Sequence, residues 1–372
     1  MSPVTWRRRA LAASLGLAVA LLCGEAAVRV WGGEAAMMAG LVGRTTADLP
    51  LHRPSADPEL LYELIPSLDR TVSTAEAALS EEEAPYADDP RSMVTNKLGF
   101  RDSERAPAKP PGVTRILCLG GSNTYGAAVS QGRTWPAQLQ RALAERGVAD
   151  VEVWNLGVDG YQTRQKLRLA ERALAEWEPD LLLFQLANSG PRLVLDGMQR
   201  APEPWLTAAR ATRDYGVYSE NLHLFPAPGS RLLPLLMGSA LARTVLVSVN
   251  RIHRSGLPGG DHPEPLVERA EARAGPQLAT LVEEARPRTE SVFFVPPAGG
   301  WPPWMQSADM PLVDLRDGEL PDLPDLALLH PGAGVYAWYG EALADALIAG
   351  GCLGEGMPRC GSLSRTRDTL PR

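Results

Sequence analysis

The chain has 372 residues, a formal net charge of −7 and 45% hydrophobic residues, so it is long enough to bury a substantial core. The acidic balance, with no stripe of lysine and arginine among aromatic side chains, argues against general nucleic-acid binding. The four cysteines and five histidines form neither a CxxC pair nor a histidine-rich cluster, so the sequence predicts no metal site.

The N-terminus has the pattern of an export signal. Arginines at positions 7–9 precede an apolar run over residues 10–24, and basic residues on that side keep the N-terminus in the cytoplasm. The run alone is the length of the apolar part of a signal peptide. Extended to Trp31, with Glu25 and Arg29 paired four residues apart, it becomes an uncleaved anchor. Either way, the following residues are expected in the periplasm or cell exterior, tethered to the inner membrane if the anchor is retained.

Composition divides the chain into regions. Residues 1–32 form the signal anchor or signal peptide. Residues 33–112 are acidic or proline-rich and are expected to form a juxtamembrane segment and linker. Residues 113–351 alternate strand-like and helical patterns, with a long stretch at about 190–262 that we expect to form a lid. Residues 352–372 form a tail.

Two cysteines, Cys352 and Cys360, lie close together near the C-terminus. In an exported protein this spacing suits a local disulfide.

Within residues 113–351, short apolar runs and amphipathic periods predict strands and helices in turn. The predicted strands are residues 116–119, 151–156, 179–186 and 291–297; the predicted helices are residues 134–146, 163–177, 266–286 with an interruption near Gly275, and 335–349. This alternation predicts a parallel sheet covered by helices on both faces. Ligands bind such sheets at the carboxyl ends of the strands.

Four residues with useful chemistry follow strands or precede the last helix. Ser122 lies in the glycine-flanked turn GGSNTYG after the first strand, and is either a nucleophile or a turn hydroxyl. Gly160 follows the second strand and Asn188 the third, where each could donate to an oxyanion or simply end its strand. His330 stands before the final helix, where it could reach Ser122 as a general base.

This order of serine, glycine, asparagine and histidine resembles the SGNH/GDSL hydrolase family over residues 114–350. The stretch NKLGFRDSE, residues 96–104, also resembles a segment often found ahead of this domain in exported bacterial members. The resemblance implies a three-layer α/β/α, flavodoxin-like fold with a mostly parallel sheet of about five strands.

The resemblance also implies a mechanism that needs no cofactor. Ser122 would attack an ester carbonyl and form an acyl-enzyme, and His330 would take the serine proton and later activate water. The N–H groups of Ser122 and Gly160, with the Asn188 side chain, would hold the oxyanion.

The acid that orients the histidine departs from the family pattern. The family places an aspartate three residues before the histidine, and this chain has Ala327 there. Asp325, five residues before His330, is our candidate if the loop bulges. The remaining options are a Ser–His dyad oriented by a backbone carbonyl, or another aspartate: Asp314, Asp317 or Asp322.

The expected function is an exported serine esterase that deacetylates an envelope glycan or cleaves another ester. One alternative is an acyltransferase that passes the acyl group from Ser122 to a glycan hydroxyl. The other is a glycan-binding or scaffold domain that lost its orienting acid and with it most of its activity. Labelling of Ser122 by a serine-directed probe separates the two enzymes from the binding domain.

Overall fold

The computed structural model describes residues 3–31, 51–55, 57, 60, 62–72, 79–161, 163–186, 239, 241–242, 245, 264–300, 302, 304–305, 310–316, 320–353, 360 and 363. The chain divides into two compact units. One is formed by Met1–Pro50 with Val194–Pro263, and the other by Leu51–Leu193 with Glu264–Arg372. Asn188, and all of the predicted lid except residues 239, 241–242 and 245, lie outside the described residues.

The first unit contains a long apolar helix, α1 (Pro3–Trp31). Its segment Ala12–Val30 has a mean hydropathy of 1.6, and the helix is long and apolar enough to cross a membrane, a test that a cleavable signal sequence also passes. The predicted pair is present, since Arg29 Nε donates to Glu25 Oε1 at 2.7 Å. Glu25 Oε2 accepts the Ser239 hydroxyl at 2.8 Å and the Leu241 N–H at 2.9 Å.

The second unit begins with two antiparallel strand pairs, which lie within the residues 33–112 expected to form a juxtamembrane segment and linker. β1 (His52–Pro54) pairs with β2 (Tyr62–Leu64), and β3 (Asp69–Val72) pairs with β4 (Arg91–Val94). The segment between β3 and β4 turns through a short 3₁₀ helix, Ala84–Tyr86. Part of the segment expected to be a juxtamembrane segment and linker is therefore built of short paired strands.

That sheet has five parallel strands. β5 (Thr114–Leu119) lies between β6 (Val151–Asn155) and β7 (Leu181–Gln185), and β8 (Glu290–Val295) and β9 (Leu312–Asp314) follow on the β7 side. Counted in chain order within the sheet, the strands run 2-1-3-4-5, which is the flavodoxin-like order. The short β9 is not among the four strands predicted from the sequence.

Helices cover both faces of the sheet, which confirms the predicted three-layer α/β/α class. They are α2 (Ser122–Tyr125), α3 (Trp135–Glu145), α4 (Thr163–Glu176), α5 (Glu264–Ala285) and α6 (Ala333–Ala349). α3 packs against α6 on one face, and α4 packs against α5 on the other. Alternate residues of β5 face the two layers, so its residues 116–119 are all apolar and buried.

The predicted interruption of α5 is absent. The helix runs through Pro276, and the preceding Gly275 lies against the Trp304 ring, where an added Cβ would come within 2.2 Å. Gly275 therefore provides a close approach for Trp304 rather than a break in the helix.

The C-terminal cysteines are joined as the sequence suggested. Cys352 and Cys360 form a disulfide shortly after α6 ends.

Candidate active site

Ser122 is the first residue of α2, directly beyond the carboxyl end of β5. Two glycines give this turn its shape. A Cβ on Gly120 would lie 1.8 Å from Thr124 Oγ1, and a Cβ on Gly157 would lie 2.2 Å from the Tyr125 nitrogen. Only glycine permits these approaches, so the turn after β5 and the loop after β6 pack directly against the short helix.

His330 meets Ser122 from the loop that precedes α6. Its Nε2 atom lies 2.8 Å from Ser122 Oγ, which is hydrogen-bond distance. The two loops are also tied through Asn123, whose Nδ2 donates to the Leu329 carbonyl at 2.8 Å. The structure therefore brings together the serine and histidine that the sequence singled out, although 208 positions separate them.

The third member of the cluster is Glu83, which sequence reasoning missed. Glu83 Oε1 lies 2.9 Å from His330 Nδ1 and also accepts the His330 backbone N–H at 3.1 Å. An ionised carboxylate can only accept hydrogen bonds, so Nδ1 carries the ring hydrogen, and Nε2 of the neutral imidazole is left to accept from Ser122 Oγ.

Glu83 is held in place by a reciprocal pair of bonds with Ser80. The Ser80 N–H donates to Glu83 Oε2 at 2.9 Å, and the Glu83 N–H donates to Ser80 Oγ at 3.2 Å. This is the capping-box pattern, a serine followed three residues later by a glutamate, and it lies just before the 3₁₀ helix Ala84–Tyr86. The pattern SEEE in the sequence was the signal that could have drawn attention to Glu83.

The surroundings of Glu83 favour its charged form. Burial raises its pKa, but the hydrogen bond and charge of His330, followed by the backbone and hydroxyl of Ser80, outweigh burial and lower the pKa to about 2. Glu83 is therefore an anion throughout the neutral range, as a group that orients an imidazole must be.

Asp325, the acid predicted from the sequence, is not against the imidazole. Its Oδ2 atom accepts the Gly332 backbone N–H at 2.6 Å, which closes the turn that follows His330. Gly332 also packs on Tyr86, where a Cβ would lie 2.4 Å from the Tyr86 carbonyl oxygen. The position beside Nδ1 thus belongs to Glu83, and the absence of an aspartate at position 327 leaves no gap there.

Two of the other aspartates considered from the sequence, Asp314 and Asp322, form no described hydrogen bond to the imidazole either. Asp314 pairs with Arg316 at 2.6 Å, Asp322 is exposed, and Asp317 lies outside the described residues.

The structure describes two of the three predicted oxyanion residues, Ser122 and Gly160. The backbone N–H of Ser122 starts a helix, so it has no intrahelical acceptor. Gly160 has a left-handed backbone, with φ +82°. Its loop contacts the turn that carries Ser122, since the Val158 N–H donates to the Gly120 carbonyl at 3.2 Å. Asn188 lies outside the described residues. Nor do the described residues contain a group of three or more His, Cys, Asp or Glu side chains that could hold a metal ion.

Comparison with known proteins finds likeness only at the level of solved structures. No protein-family model and no curated protein matches the chain. A psychrotrophic esterase from Pseudoalteromonas sp., inhibited by monoethylphosphonate, aligns at 14% identity with a TM-score of 0.34, covering 63% of this chain and 97% of its own. A protein of the G-D-S-L family from Desulfitobacterium hafniense aligns at 13% identity with a TM-score of 0.29, covering 62% and 98%. A carbohydrate esterase family 2 enzyme from Corynascus thermopiles (Myceliophthora fergusii) aligns at 15% identity with a TM-score of 0.33, covering 66% and 68%.

Proposed function

We propose that this protein is a serine ester hydrolase whose catalytic triad is Ser122, His330 and Glu83. The proposal depends on one observation, the continuous chain of hydrogen bonds from Ser122 Oγ through the two ring nitrogens of His330 to Glu83 Oε1, at 2.8 and 2.9 Å. A nucleophile within reach of a base, and the base oriented by a third group, is the arrangement that activates a serine.

In the proposed reaction, Ser122 Oγ attacks the ester carbonyl while His330 Nε2 takes its proton. Glu83 stabilises the imidazolium that forms and keeps the ring oriented. The imidazolium then gives the proton to the departing alcohol, leaving an acyl-serine. His330 next removes a proton from water that attacks the acyl carbon, and returns that proton to Ser122 Oγ as the acyl–oxygen bond breaks and the carboxylic acid leaves. The backbone N–H groups of Ser122 and Gly160, with Asn188, are the proposed oxyanion donors, and one such donor is typically worth about 3–4 kcal/mol.

The hypothesis of an impaired binding domain depended on a missing acid. Glu83 supplies a carboxylate at hydrogen-bond distance from Nδ1, so the main reason for that hypothesis is removed. The distinction between a hydrolase and an acyltransferase concerns what attacks the acyl-serine, water or a glycan hydroxyl. Substrate choice follows the expectation stated from the sequence, an acylated envelope glycan or another small ester, reached by a domain tethered through α1.

The test is labelling of the full chain, in detergent, by a fluorophosphonate probe. We expect wild type to be labelled at Ser122, located by mass spectrometry of the digested protein, and Ser122→Ala and His330→Ala to be unlabelled. Ser103→Ala, at an exposed serine whose hydroxyl donates to Asp102 and not to a triad residue, is the matched control and keeps the label. A folded wild type that resists labelling would overturn the proposal.

Substrate class is tested next with the same preparations. Release of acetate from p-nitrophenyl acetate and from an acetylated polysaccharide measures hydrolysis. Recovery of acetylated oligosaccharide when unmodified oligosaccharide is added would instead identify the transferase.

A further inference from the structure

A fully buried arginine, Arg101, contacts the turn that carries Ser122. Arg101 has 1% of its surface exposed and belongs to the stretch NKLGFRDSE that precedes β5. Its burial is not explained by an ion pair, because the guanidinium forms none among the residues described, and Glu83 pairs with His330 instead. A charge taken out of water is costly, so its partners need to be identified.

The stretch around Arg101 is a built turn. Asn96 Oδ1 accepts the N–H groups of Leu98 and Phe100, each at 3.0 Å, and Asn96 Nδ2 donates to the Ser103 carbonyl at 3.0 Å. Gly99 adopts a left-handed backbone with φ +82°, and a Cβ there would lie 3.0 Å from the Leu64 carbonyl oxygen. These contacts define the direction in which the next side chains leave the turn.

The Arg101 guanidinium donates to four backbone carbonyls. Nη1 donates to Tyr125 at 3.0 Å and to Gly126; Nη2 donates to Ser92 at 2.8 Å and to Val129. Its Cζ also lies 5.0 Å from the centre of the Tyr125 ring. Tyr125 and Gly126 are the last residue and the C-cap of α2, the helix that begins with Ser122.

α2 has only four residues and needs this support. The final carbonyls of a helix have no partner within it, and a single-turn helix is not stable by itself. The planar guanidinium spans two carbonyls of α2 and two outside it, which a lysine ammonium cannot do because its donors share one nitrogen.

We propose that Arg101 is a positioning residue that holds α2 so that Ser122 Oγ stays in line with His330 Nε2. This inference rests on the proposed function, because its catalytic consequence requires that Ser122 be the nucleophile. Arg101 forms no described hydrogen bond with a triad residue, and its bonds to α2 are at the far end, at Tyr125 and Gly126.

The chain offers a matched control at the other end of β5. Arg115 is also fully buried and donates to backbone carbonyls, with Nη1 at 2.7 Å from both Pro107 and Trp177. It stands at the start of the strand, whereas Ser122 follows the strand's carboxyl end. Arg115→Ala therefore removes a buried arginine bonded to several carbonyls, together with its ion pair to Glu152 at 3.0 Å, without touching α2.

The experiment compares Arg101→Ala, Arg101→Lys and Arg115→Ala in the full chain with two readouts. The first is the rate of fluorophosphonate labelling per folded molecule. The second is amide hydrogen exchange over residues 122–130, which needs no activity. We expect Arg101→Ala to slow labelling by about 10²-fold, the typical cost of a small misplacement. It should also speed exchange over 122–130, and added guanidinium should partly restore both.

The control separates positioning from general damage. Arg115→Ala should keep near-wild-type labelling and exchange over 122–130, even where its melting temperature falls as far as that of Arg101→Ala. Arg101→Lys keeps the charge and serves if the alanine variant does not fold; it should show the same two changes more weakly.

Two results would overturn the inference: unchanged exchange over 122–130 on loss of Arg101, or equal slowing of labelling by the two alanine variants. If wild type is unlabelled while exchange still responds to Arg101 alone, the proposed function fails and the support of α2 by Arg101 stands.

Discussion

Replacing Glu83 by glutamine tests the triad at its least expected member. Glu83 accepts three N–H groups, two from His330 on Oε1 and one from Ser80 on Oε2. A glutamine of the same shape has one acceptor oxygen and one NH₂ group. If the oxygen faces Ser80, the NH₂ group faces the imidazole and favours the tautomer in which Nδ1 accepts and Nε2 carries hydrogen.

That tautomer cannot take a proton from Ser122. The corresponding change of acid to amide in a serine protease triad lowers kcat by about 10⁴, which is about 5.4 kcal/mol of transition-state stabilisation. We expect Glu83→Gln to lose between about 10³- and 10⁴-fold in kcat/KM, with most of the loss in kcat.

The assay is hydrolysis of p-nitrophenyl acetate by the full chain, with circular dichroism to verify folding. Asp325→Asn is the matched control, because it removes the carboxylate that the sequence favoured and still leaves an oxygen to accept the Gly332 N–H. It should cost far less than Glu83→Gln. A folded Glu83→Gln with near-wild-type activity, or an equal loss in Asp325→Asn, would refute the assignment of the acid.

Three further predictions concern stability. The Glu83 carboxylate has a folded pKa of about 2 against an ordinary 4.5, so it stabilises the fold above pH 4.5 and loses that contribution as pH falls toward 2. Acid melts should therefore show a loss of no more than about 3 kcal/mol that Glu83→Gln lacks; identical acid profiles would contradict this. Gly157→Ala places a Cβ 2.2 Å from the Tyr125 nitrogen. It should lower the free energy of unfolding by about 1–3 kcal/mol in urea titrations and slow fluorophosphonate labelling. An unchanged urea midpoint would show that the loop moves to accept the added methyl group. Reducing the Cys352–Cys360 disulfide should lower stability by about 2 kcal/mol, seen as a lower melting temperature; equal melts with and without reductant would count against it.

The central fold was accessible from the sequence because its elements carry strong local patterns. Residues 116–119 of β5 and 181–184 of β7 are continuous apolar runs, and α3 begins after Thr134 and ends near Arg146 as predicted. β9 was missed because three residues in a proline-rich stretch have no readable period, and it forms only by pairing with β8.

Glu83 was beyond sequence reasoning for a different reason. Its role comes from a tertiary contact, and an acidic run before a proline looks like a solvated linker. The same segment has a local signal, the Ser80–Glu83 capping pattern, but that pattern indicates only a turn and cannot show which histidine faces it. Ser122 was found because it follows the apolar run of β5, and His330 because it precedes the predicted last helix, α6.

The acid, nucleophile and base occur along the chain in the order Glu83, Ser122, His330, with 247 positions between the first and the last. Ribosomal synthesis runs from the N-terminus, so a nascent chain holds the serine and its acid long before it holds the base. On the proposed mechanism, the growing polypeptide is catalytically silent until residue 330 has emerged and the loop before α6 has docked. Any product that ends before residue 330 lacks the base and is inactive even if the sheet has formed, so hydrolysis reports that synthesis has passed residue 330.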